Sequence, residues 1–318
     1  MAKRAGTPQT TLRNRVVVTG IGVHSGKQVS MTLHPAAADT GIVFRRTDDP
    51  AAEQVAIRAS IDNLSATDSC TTIARMGLSI ATIEHLLASF NGLGVDNVAV
   101  EIDGAEVPMM DGSAGAFVSL IEEAGIERLA APRRFIRVLK PIRIEQGPAF
   151  AELLPFDGRR FEIDIDFDSP LIGRQAFVID LTAQTFRRDL ARARTFGFLR
   201  DVETYWSRGL ALGSSLDNTV VLGDDRVLNP EGLRFADEFV RHKALDAVGD
   251  LALAGAPILG AYRSYRGGHR LNARMVEALL ADSEAFAFVD GPSAPRREPV
   301  RAEVPVRLAA AAFGPQKA

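Results

Sequence analysis

The residues best suited to chemistry stand in the run 241–250, which contains one histidine, one lysine and two aspartates. His242, Asp246 and Asp250 follow one another at intervals of four residues, so a helix would carry them on one face. Imidazole nitrogen and carboxylate oxygen both bind zinc, and a catalytic zinc keeps three protein ligands and one open position. The spacing indicates that His242 and Asp246 bind a metal, with Asp250 orienting a ligand.

The alternative for this run is a polar helix face in water, because charged pairs four residues apart are common there. Spacing alone does not decide between the two. The opposite face carries four apolar residues, so the helix must pack on a core and its polar face can line a cleft. These four residues are Phe239, Leu245, Val248 and Leu251.

A second candidate is the pair Glu84-His85 within the otherwise apolar run 82–87. Burying an ionised carboxylate beside an imidazole is costly unless both are paired or metal-bound. If His85 bound the zinc, Glu84 would lie beside the water at the open position, where a general base belongs. Only one histidine comes from this run, so the site would combine residues from both halves of the chain.

Three further residues are weaker candidates. His269 follows Gly267-Gly268, which could hold the imidazole over a cleft, or it simply begins a helix. Thr195 could donate a hydrogen bond to an oxyanion, although most threonines do no such thing. His24 lies among glycines that lack the spacing of a phosphate loop, so we interpret residues 20–26 as a tight hairpin near the site.

Length and composition limit the class of protein. The chain has 318 residues, a formal net charge of −3 and a single cysteine, Cys70. This charge provides no basic field for nucleic acid, and one cysteine allows no internal disulfide. The sequence shows no signal peptide and no apolar stretch that could cross a bilayer. We therefore expect a cytoplasmic monomer that binds a small molecule and no nucleic acid.

The coarse pattern predicts the α+β class. Strands are predicted at 15–19, 28–33, 41–45, 97–102 and 161–167, the first three as antiparallel sheet, and helices at 79–90, 113–124, 181–194 and 238–253. Because strands and helices are grouped apart, and the second half repeats the order of the first, we expect two α+β layers and not a doubly wound parallel sheet. A segment rich in Ala, Pro and Arg places the boundary between 1–129 and 130–318, and the tail from about 291 is expected to be poorly ordered.

Several long motifs occur in one order along nearly the whole chain. They are Thr19-Gly20-Ile21-Gly22-Val23-His24-Ser25-Gly26, Thr82-Ile83-Glu84-His85-Leu86, Gly94-Val95-Asp96-Asn97, Pro108-Met109-Met110-Asp111-Gly112-Ser113-Ala114, Ala193-Arg194-Thr195-Phe196-Gly197-Phe198, Val240-Arg241-His242-Lys243 with Asp246 and Gly249-Asp250, and Gly267-Gly268-His269. In these motifs the chain resembles the UDP-3-O-acyl-N-acetylglucosamine deacetylase family, the zinc enzymes of the committed step of lipid A biosynthesis.

The resemblance implies two similar domains, each a β-sheet layered against helices, with the active site between them. It also implies roles for individual residues. It implies zinc ligation by His85, His242 and Asp246, with Glu84 as the general base. His269 matches the family's proton-donating histidine and Asp250 the carboxylate that pairs with it. Lys243 and Thr195 match polar groups around the tetrahedral intermediate.

The resemblance also implies contacts for a UDP-linked acylated amino sugar. Phe196 matches a sugar contact, and 198–214 matches the insert that holds the acyl chain, including Phe198, Leu210 and Ser214. Asp166 and Phe167 are expected to face the nucleotide. From the residues alone, the apolar insert could instead be ordinary core. A zinc amidase with another N-acyl substrate, or a binding protein without catalysis, also remains open.

Overall fold

The computed structural model describes residues 7–48 and 54–290 of the chain. The tail expected to be poorly ordered from about residue 291 lies outside the described residues. Within them the chain forms α-helices and β-strands, and the strands are assembled into separate sheets.

The strands are β1 Pro8–Leu12, β2 Val16–Ile21, β3 Gln28–Pro35, β4 Ile42–Arg46, β5 Ile57–Arg58, β6 Leu64–Ala66, β7 Thr72–Arg75, β8 Leu78–Ile80, β9 Val98–Ile102, β10 Ile126–Pro132, β11 Arg134–Val138, β12 Ile142–Gln146, β13 Ala149–Leu154, β14 Arg159–Asp166, β15 Arg174–Asp180, β16 Phe196–Phe198, β17 Val220–Leu222, β18 Ile258–Tyr265 and β19 Phe286–Asp290. The helices are α1 Glu84–Leu93, α2 Gly115–Ala124, α3 Ala183–Thr185, α4 Val202–Ser207, α5 Glu238–Asp250 and α6 His269–Ala281.

The first half contains a five-stranded sheet in the order β2-β3-β9-β4-β5. The expected antiparallel pairing holds for β2 with β3, and β3 also pairs antiparallel with β9. The expectation is wrong for β4, which pairs with β9 in parallel. The chain between these two strands includes α1. Parallel strands need a long crossover connection, and this segment provides one.

The segment predicted to separate two domains is itself extended. Strand β10 pairs antiparallel with β1 at the amino-terminal end of the described chain. The predicted boundary between residues 129 and 130 therefore lies inside a paired strand and not in a loop. Division of the chain into two independent domains stays a prediction.

The second half contains a seven-stranded sheet in which β18 is central. It pairs with β13 in antiparallel orientation and with β14 and β11 in parallel orientation. Helix α5 packs on β14 and β15, and α6 packs on β12 and β13. Among the described residues the two large sheets are mixed and pack against helices, and neither is a doubly wound parallel sheet, which confirms the predicted α+β class.

Two predicted helices differ in extent from those observed. Residues 79–90 were expected to be helical throughout, but β8 ends at Ile80 and α1 begins at Glu84. The expected helix at 181–194 is shorter, because a single α-helical turn is followed by a wider turn that ends at Leu190. Beyond it, Arg194 is held by Glu238, which accepts bonds from its backbone amide and its Nε.

Helices α1 and α5 pack directly against each other and join the two halves. The side chain of Asn91 donates a hydrogen bond of 2.8 Å to the carbonyl of Val248, which links the two helices. Both faces of α5 are buried, including the four apolar residues predicted to face the core. Its polar face therefore lies against α1 and not in open water.

The described residues include no helix with both the length and the apolar character needed to span a bilayer.

Candidate active site

Three side chains on α1 and α5 converge below a cavity of about 580 Å³. His85 comes from α1, and His242 and Asp246 from α5; one potential ligand atom of each lies within 4.8 Å of the others. Nε2 of His85 and Nε2 of His242 are 3.5 and 3.4 Å from Oδ1 of Asp246. The packing of the two helices thus brings together the set that the sequence predicted.

Spacing and burial in this group fit a metal ion. Two donor atoms about 2.1 Å from one ion lie about 3.4 Å apart when they meet at the tetrahedral angle. Oδ1 of Asp246 is buried and accepts no hydrogen bond from any described residue. An unsatisfied buried carboxylate oxygen is costly, and a cation is the group that would satisfy it.

His242 is held in the state that a metal ligand needs. Its Nδ1 lies 3.1 Å from the carbonyl oxygen of Ala193, to which an N–H can donate. Burial lowers the pKa of His242 to about 3, although the charge of Asp246 opposes this shift. The ring is therefore neutral at pH 7, with the lone pair of Nε2 directed toward Asp246.

Asp246 remains ionised in spite of its burial. Burial alone would raise its pKa, but the adjacent imidazole of His242 and the positive charge of Lys243 hold the pKa well below its usual range. Nζ of Lys243 donates a hydrogen bond of 3.1 Å to Oδ2 of Asp246. One carboxylate oxygen thus bonds to the lysine, and the other remains available for a cation.

Glu84 is the first residue of α1 and lines the same cavity. Its Oε2 accepts a hydrogen bond of 3.0 Å from the backbone amide of Thr71. Burial raises the pKa of Glu84, while the neighbouring positive charge of His269 opposes the rise. A carboxylate with a raised pKa beside a metal group is suited to accept a proton from water near neutral pH.

His269 lines the cavity and is also the first residue of α6. It therefore begins a helix and also places its imidazole at the cleft. Its Nδ1 donates a hydrogen bond of 2.9 Å to Oδ2 of Asp250. Burial alone lowers the pKa of His269, but the carboxylates of Asp250, Asp246 and Glu84 raise it to about 10. The imidazole is therefore protonated at pH 7 and can act as an acid.

Comparison with known proteins places this site in a family. Residues 9–281 match the family described as LpxC: UDP-3-O-acyl N-acetylglycosamine deacetylase. The chain belongs to this family. A UDP-3-O-acyl-N-acetylglucosamine deacetylase from Brucella ovis is 51% identical over 283 residues, which are 89% of this chain and 98% of the relative. Proteins of the same name from Brucella abortus (strain 2308) and Brucella melitensis biotype 2 are 51% and 50% identical over equal lengths.

In this LpxC-family chain the segment 198–214, predicted to be the insert, contributes to one wall of the cavity, called here the upper wall. Four of the predicted substrate or oxyanion contacts line it: Thr195, Phe196, Phe198 and Ser214. Apolar side chains of α4 and of the loop after it complete this wall, among them Val202, Trp206 and Leu216. The cavity lining combines the polar groups of the candidate metal site with many apolar side chains, a combination typical of ligand sites.

Three predicted contacts do not line this cavity. Leu210 is partly buried, and its backbone amide donates to the carbonyl of Tyr205 within the insert. The carboxylate of Asp166 accepts a hydrogen bond of 2.6 Å from the hydroxyl of Tyr265. The ring of Phe167 packs at 5.7 Å against that of Phe196, so it supports the cavity wall from behind.

His24 was expected only near the site, and Glu106, which binds the backbone of its turn, was not identified from the sequence. The turn 22–27 is a tight hairpin between β2 and β3, as predicted, and His24 lines the cavity. The buried carboxylate of Glu106 accepts hydrogen bonds from the amides of His24 and Ser25 and from the hydroxyl of Thr82. A lone glutamate beyond β9 gave no sequence signal for this contact.

A second cavity, of about 600 Å³, opens on another face of α1. Several of its charged residues are already paired: Arg133 bonds to Asp96, and Arg58 bonds to the carbonyls of Asp39 and Thr40. The described residues that line it include no histidine or cysteine. We therefore assign the chemistry to the cavity above His85.

Proposed function

We propose that this protein hydrolyses the N-acetyl group of UDP-3-O-(3-hydroxyacyl)-N-acetylglucosamine and releases acetate, the committed step of lipid A biosynthesis. The observation that carries the proposal is the buried group His85, His242 and Asp246, which lines one cavity together with Glu84 and His269. Membership of the family and the names of its relatives support the substrate.

We propose zinc as the metal, held by His85, His242 and Asp246. Two imidazoles and one carboxylate form a ligand set that suits zinc, with one position left for water or substrate. When bound, zinc would supply Lewis acidity and lower the pKa of the attacking water.

The protein's own residues would move the protons. Glu84 takes the proton from the attacking water, which adds to the acetamide carbon and gives a tetrahedral oxyanion. Thr195 donates a hydrogen bond to this oxyanion, and Lys243 adds positive charge nearby. His269 then protonates the departing sugar nitrogen, and the C–N bond breaks to give acetate and the free amine.

The upper wall of the cavity would hold the rest of the substrate. Phe196 would contact the sugar, and Phe198, Leu210 and Ser214 belong to the insert proposed to shelter the acyl chain. The apolar lining supports this proposal, although Leu210 contributes only as part of the insert. Asp166 and Phe167 remain proposed contacts of the nucleotide. The cytoplasmic location and the monomeric state stay predictions from the sequence.

A second candidate is zinc-dependent hydrolysis of a different N-acyl group, because the metal chemistry alone does not select the substrate. The two are separated by measuring carboxylate release from three compounds with the zinc-loaded protein. These compounds are the acylated UDP-sugar, UDP-N-acetylglucosamine without the acyl chain, and an acylated UDP-sugar whose N-acetyl group is replaced by a longer N-acyl group.

We expect the first compound to release acetate with a kcat/KM at least about tenfold higher than that of either of the other two compounds. Faster release from the longer N-acyl compound would favour the second candidate. No release from any compound, with zinc bound, would favour a binding protein without catalysis.

A further inference from the structure

One buried threonine outside helices α1 and α5 contacts one carboxylate on each of them. Thr71 is 0% exposed and directly precedes β7. Its backbone amide donates a hydrogen bond of 3.0 Å to Oε2 of Glu84, and its hydroxyl donates one of 2.6 Å to Oδ1 of Asp250. The proposed base and the partner of the proposed acid are thus held by a single residue.

The two carboxylates come from different halves of the chain. Glu84 begins α1 and Asp250 ends α5, and both are buried. A buried carboxylate must be hydrogen-bonded, and its orientation follows the donors that it finds. Because Thr71 bonds to both, it sets the position of each group relative to the other.

Asp250 divides its hydrogen bonds between its two oxygens. Oδ2 accepts from Nδ1 of His269 and, at 2.7 Å, from Nδ2 of Asn272. The amide of Asn272 is itself held by the hydroxyl of Tyr262, at 2.5 Å. The hydroxyl of Thr71 is the donor on the other oxygen, so its loss would leave the carboxylate able to turn about its bond to the helix.

We propose that Thr71 is a positioning residue that aims His269 at the reaction centre through Asp250 while its backbone amide aims Glu84. The inference rests on the proposed function, because it assigns the proton transfers to Glu84 and His269. Thr71 itself touches neither substrate nor metal in this proposal.

The side chain and the backbone of Thr71 can be tested separately. The carbonyl of Thr71 accepts a hydrogen bond of 3.3 Å from the amide of Ile83, just before α1. Valine has nearly the shape of threonine, so Thr71→Val keeps both backbone hydrogen bonds and removes only the hydroxyl. Thr71→Ser keeps the hydroxyl and is the matched control.

The experiment measures kcat, KM, zinc content and the thermal unfolding of zinc-loaded wild type, Thr71→Val and Thr71→Ser. A small misplacement of a catalytic group can cost about a hundredfold in rate. We expect kcat of Thr71→Val to fall at least about tenfold, with KM and zinc content within about twofold of wild type, and Thr71→Ser to retain most of the wild-type kcat.

A second readout does not depend on turnover. The imidazole Nδ1–H proton of His269 is followed by NMR in the same zinc-loaded proteins and is assigned by its loss in His269→Gln. We expect its resonance to shift or broaden in Thr71→Val and to stay unchanged in Thr71→Ser.

Two results would overturn the proposal: equal losses of kcat in the valine and serine variants, or an unchanged His269 resonance in Thr71→Val. If wild type releases no acetate, the proposed function fails instead, and the NMR comparison still reports whether Thr71 positions His269.

Discussion

Helix α5 meets helix α1 at Gly249, where the backbone carbonyl of Glu84 occupies the space that a side chain would need. A Cβ atom on Gly249 would lie 2.0 Å from that carbonyl oxygen. Real Cβ contacts are never this short, so any larger residue must push the two helices apart. Glu84 directly precedes His85 on one helix and Gly249 follows Asp246 by three residues on the other, so this contact limits how closely the helices that carry the proposed ligands approach.

We therefore predict that Gly249→Ala both destabilises the protein and weakens metal binding. Helix propensity alone would favour alanine by about 1 kcal/mol. Overpacking at a tight contact costs about 1–3 kcal/mol, so the net change in the free energy of unfolding should be unfavourable. The measurements are urea unfolding and zinc affinity. Gly197→Ala, at a position with no atom within 4 Å of the added Cβ, is the control and should keep wild-type zinc affinity.

The metal ligands give a second prediction. Single substitutions to alanine at His85, His242 and Asp246 each remove one of three ligands from the proposed open site. We expect each variant to lose at least about tenfold in zinc affinity, measured by competition with a chelator. The control is His34→Ala, a histidine that bonds to Glu101 on the surface of the first sheet. Undiminished affinity in all three ligand variants would contradict the assignment.

The dependence of turnover on pH gives a third prediction. Glu84 must be ionised to accept a proton, and burial raises its pKa above 4.5, so activity should fall as the pH decreases through that raised pKa. His269 must be protonated to donate, and its pKa is about 10, so activity should fall as the pH rises through about 10.

The expected profile of turnover is therefore bell-shaped, with its maximum between these limits. His269→Gln should lower turnover and remove the alkaline limb. An alkaline limb that persists unchanged in this variant would assign the acid to another group.

The position of each group in the sequence explains how much of the site could be predicted. His242 and Asp246 are four residues apart on one helix, so local spacing was enough to place them together. The contact between Thr71 and Asp250 joins residues 179 positions apart. No periodicity reports such a pair, and a lone threonine has no distinctive chemistry, so this contact required the three-dimensional structure.

The fold, like the site, could be predicted from the sequence only where local pattern determines it. Alternation of apolar residues placed strands such as β3 and β14 within a few residues of their observed ends. The direction of β4 relative to β9 depends on the crossover between them, which local pattern does not encode. The resemblance placed Leu210 in the insert proposed to hold the acyl chain, but the direction of a side chain in an irregular loop depends on packing and cannot be read from the sequence.

The apolar wall of the cavity gives a fourth prediction, which uses two partly exposed leucines in or just after the insert. Leu216 is 41% exposed and lines the cavity, whereas Leu212 is 53% exposed and does not. Each buried methylene contributes about 0.8 kcal/mol, so an acyl chain that lies along this wall should dominate substrate preference.

We expect Leu216→Asp to reduce the ratio of kcat/KM for the long-chain substrate to that for the acyl-free one by roughly tenfold. Leu212→Asp should leave the ratio near that of wild type. If both variants keep the wild-type ratio, fold normally and retain zinc, the acyl chain lies elsewhere.

The most direct test of the account follows the oxygen atom of the attacking water. Zinc-loaded protein is incubated with the acylated UDP-N-acetylglucosamine in ¹⁸O-labelled water, and the acetate is analysed by mass spectrometry for wild type and for Glu84→Gln. Hydrolysis by the proposed site predicts acetate with one ¹⁸O atom per molecule from wild type. Glu84→Gln should retain zinc but release acetate about 10²–10⁴ times more slowly. Unlabelled acetate, or near-normal turnover in Glu84→Gln, would contradict the central claim that Glu84 activates water at this site.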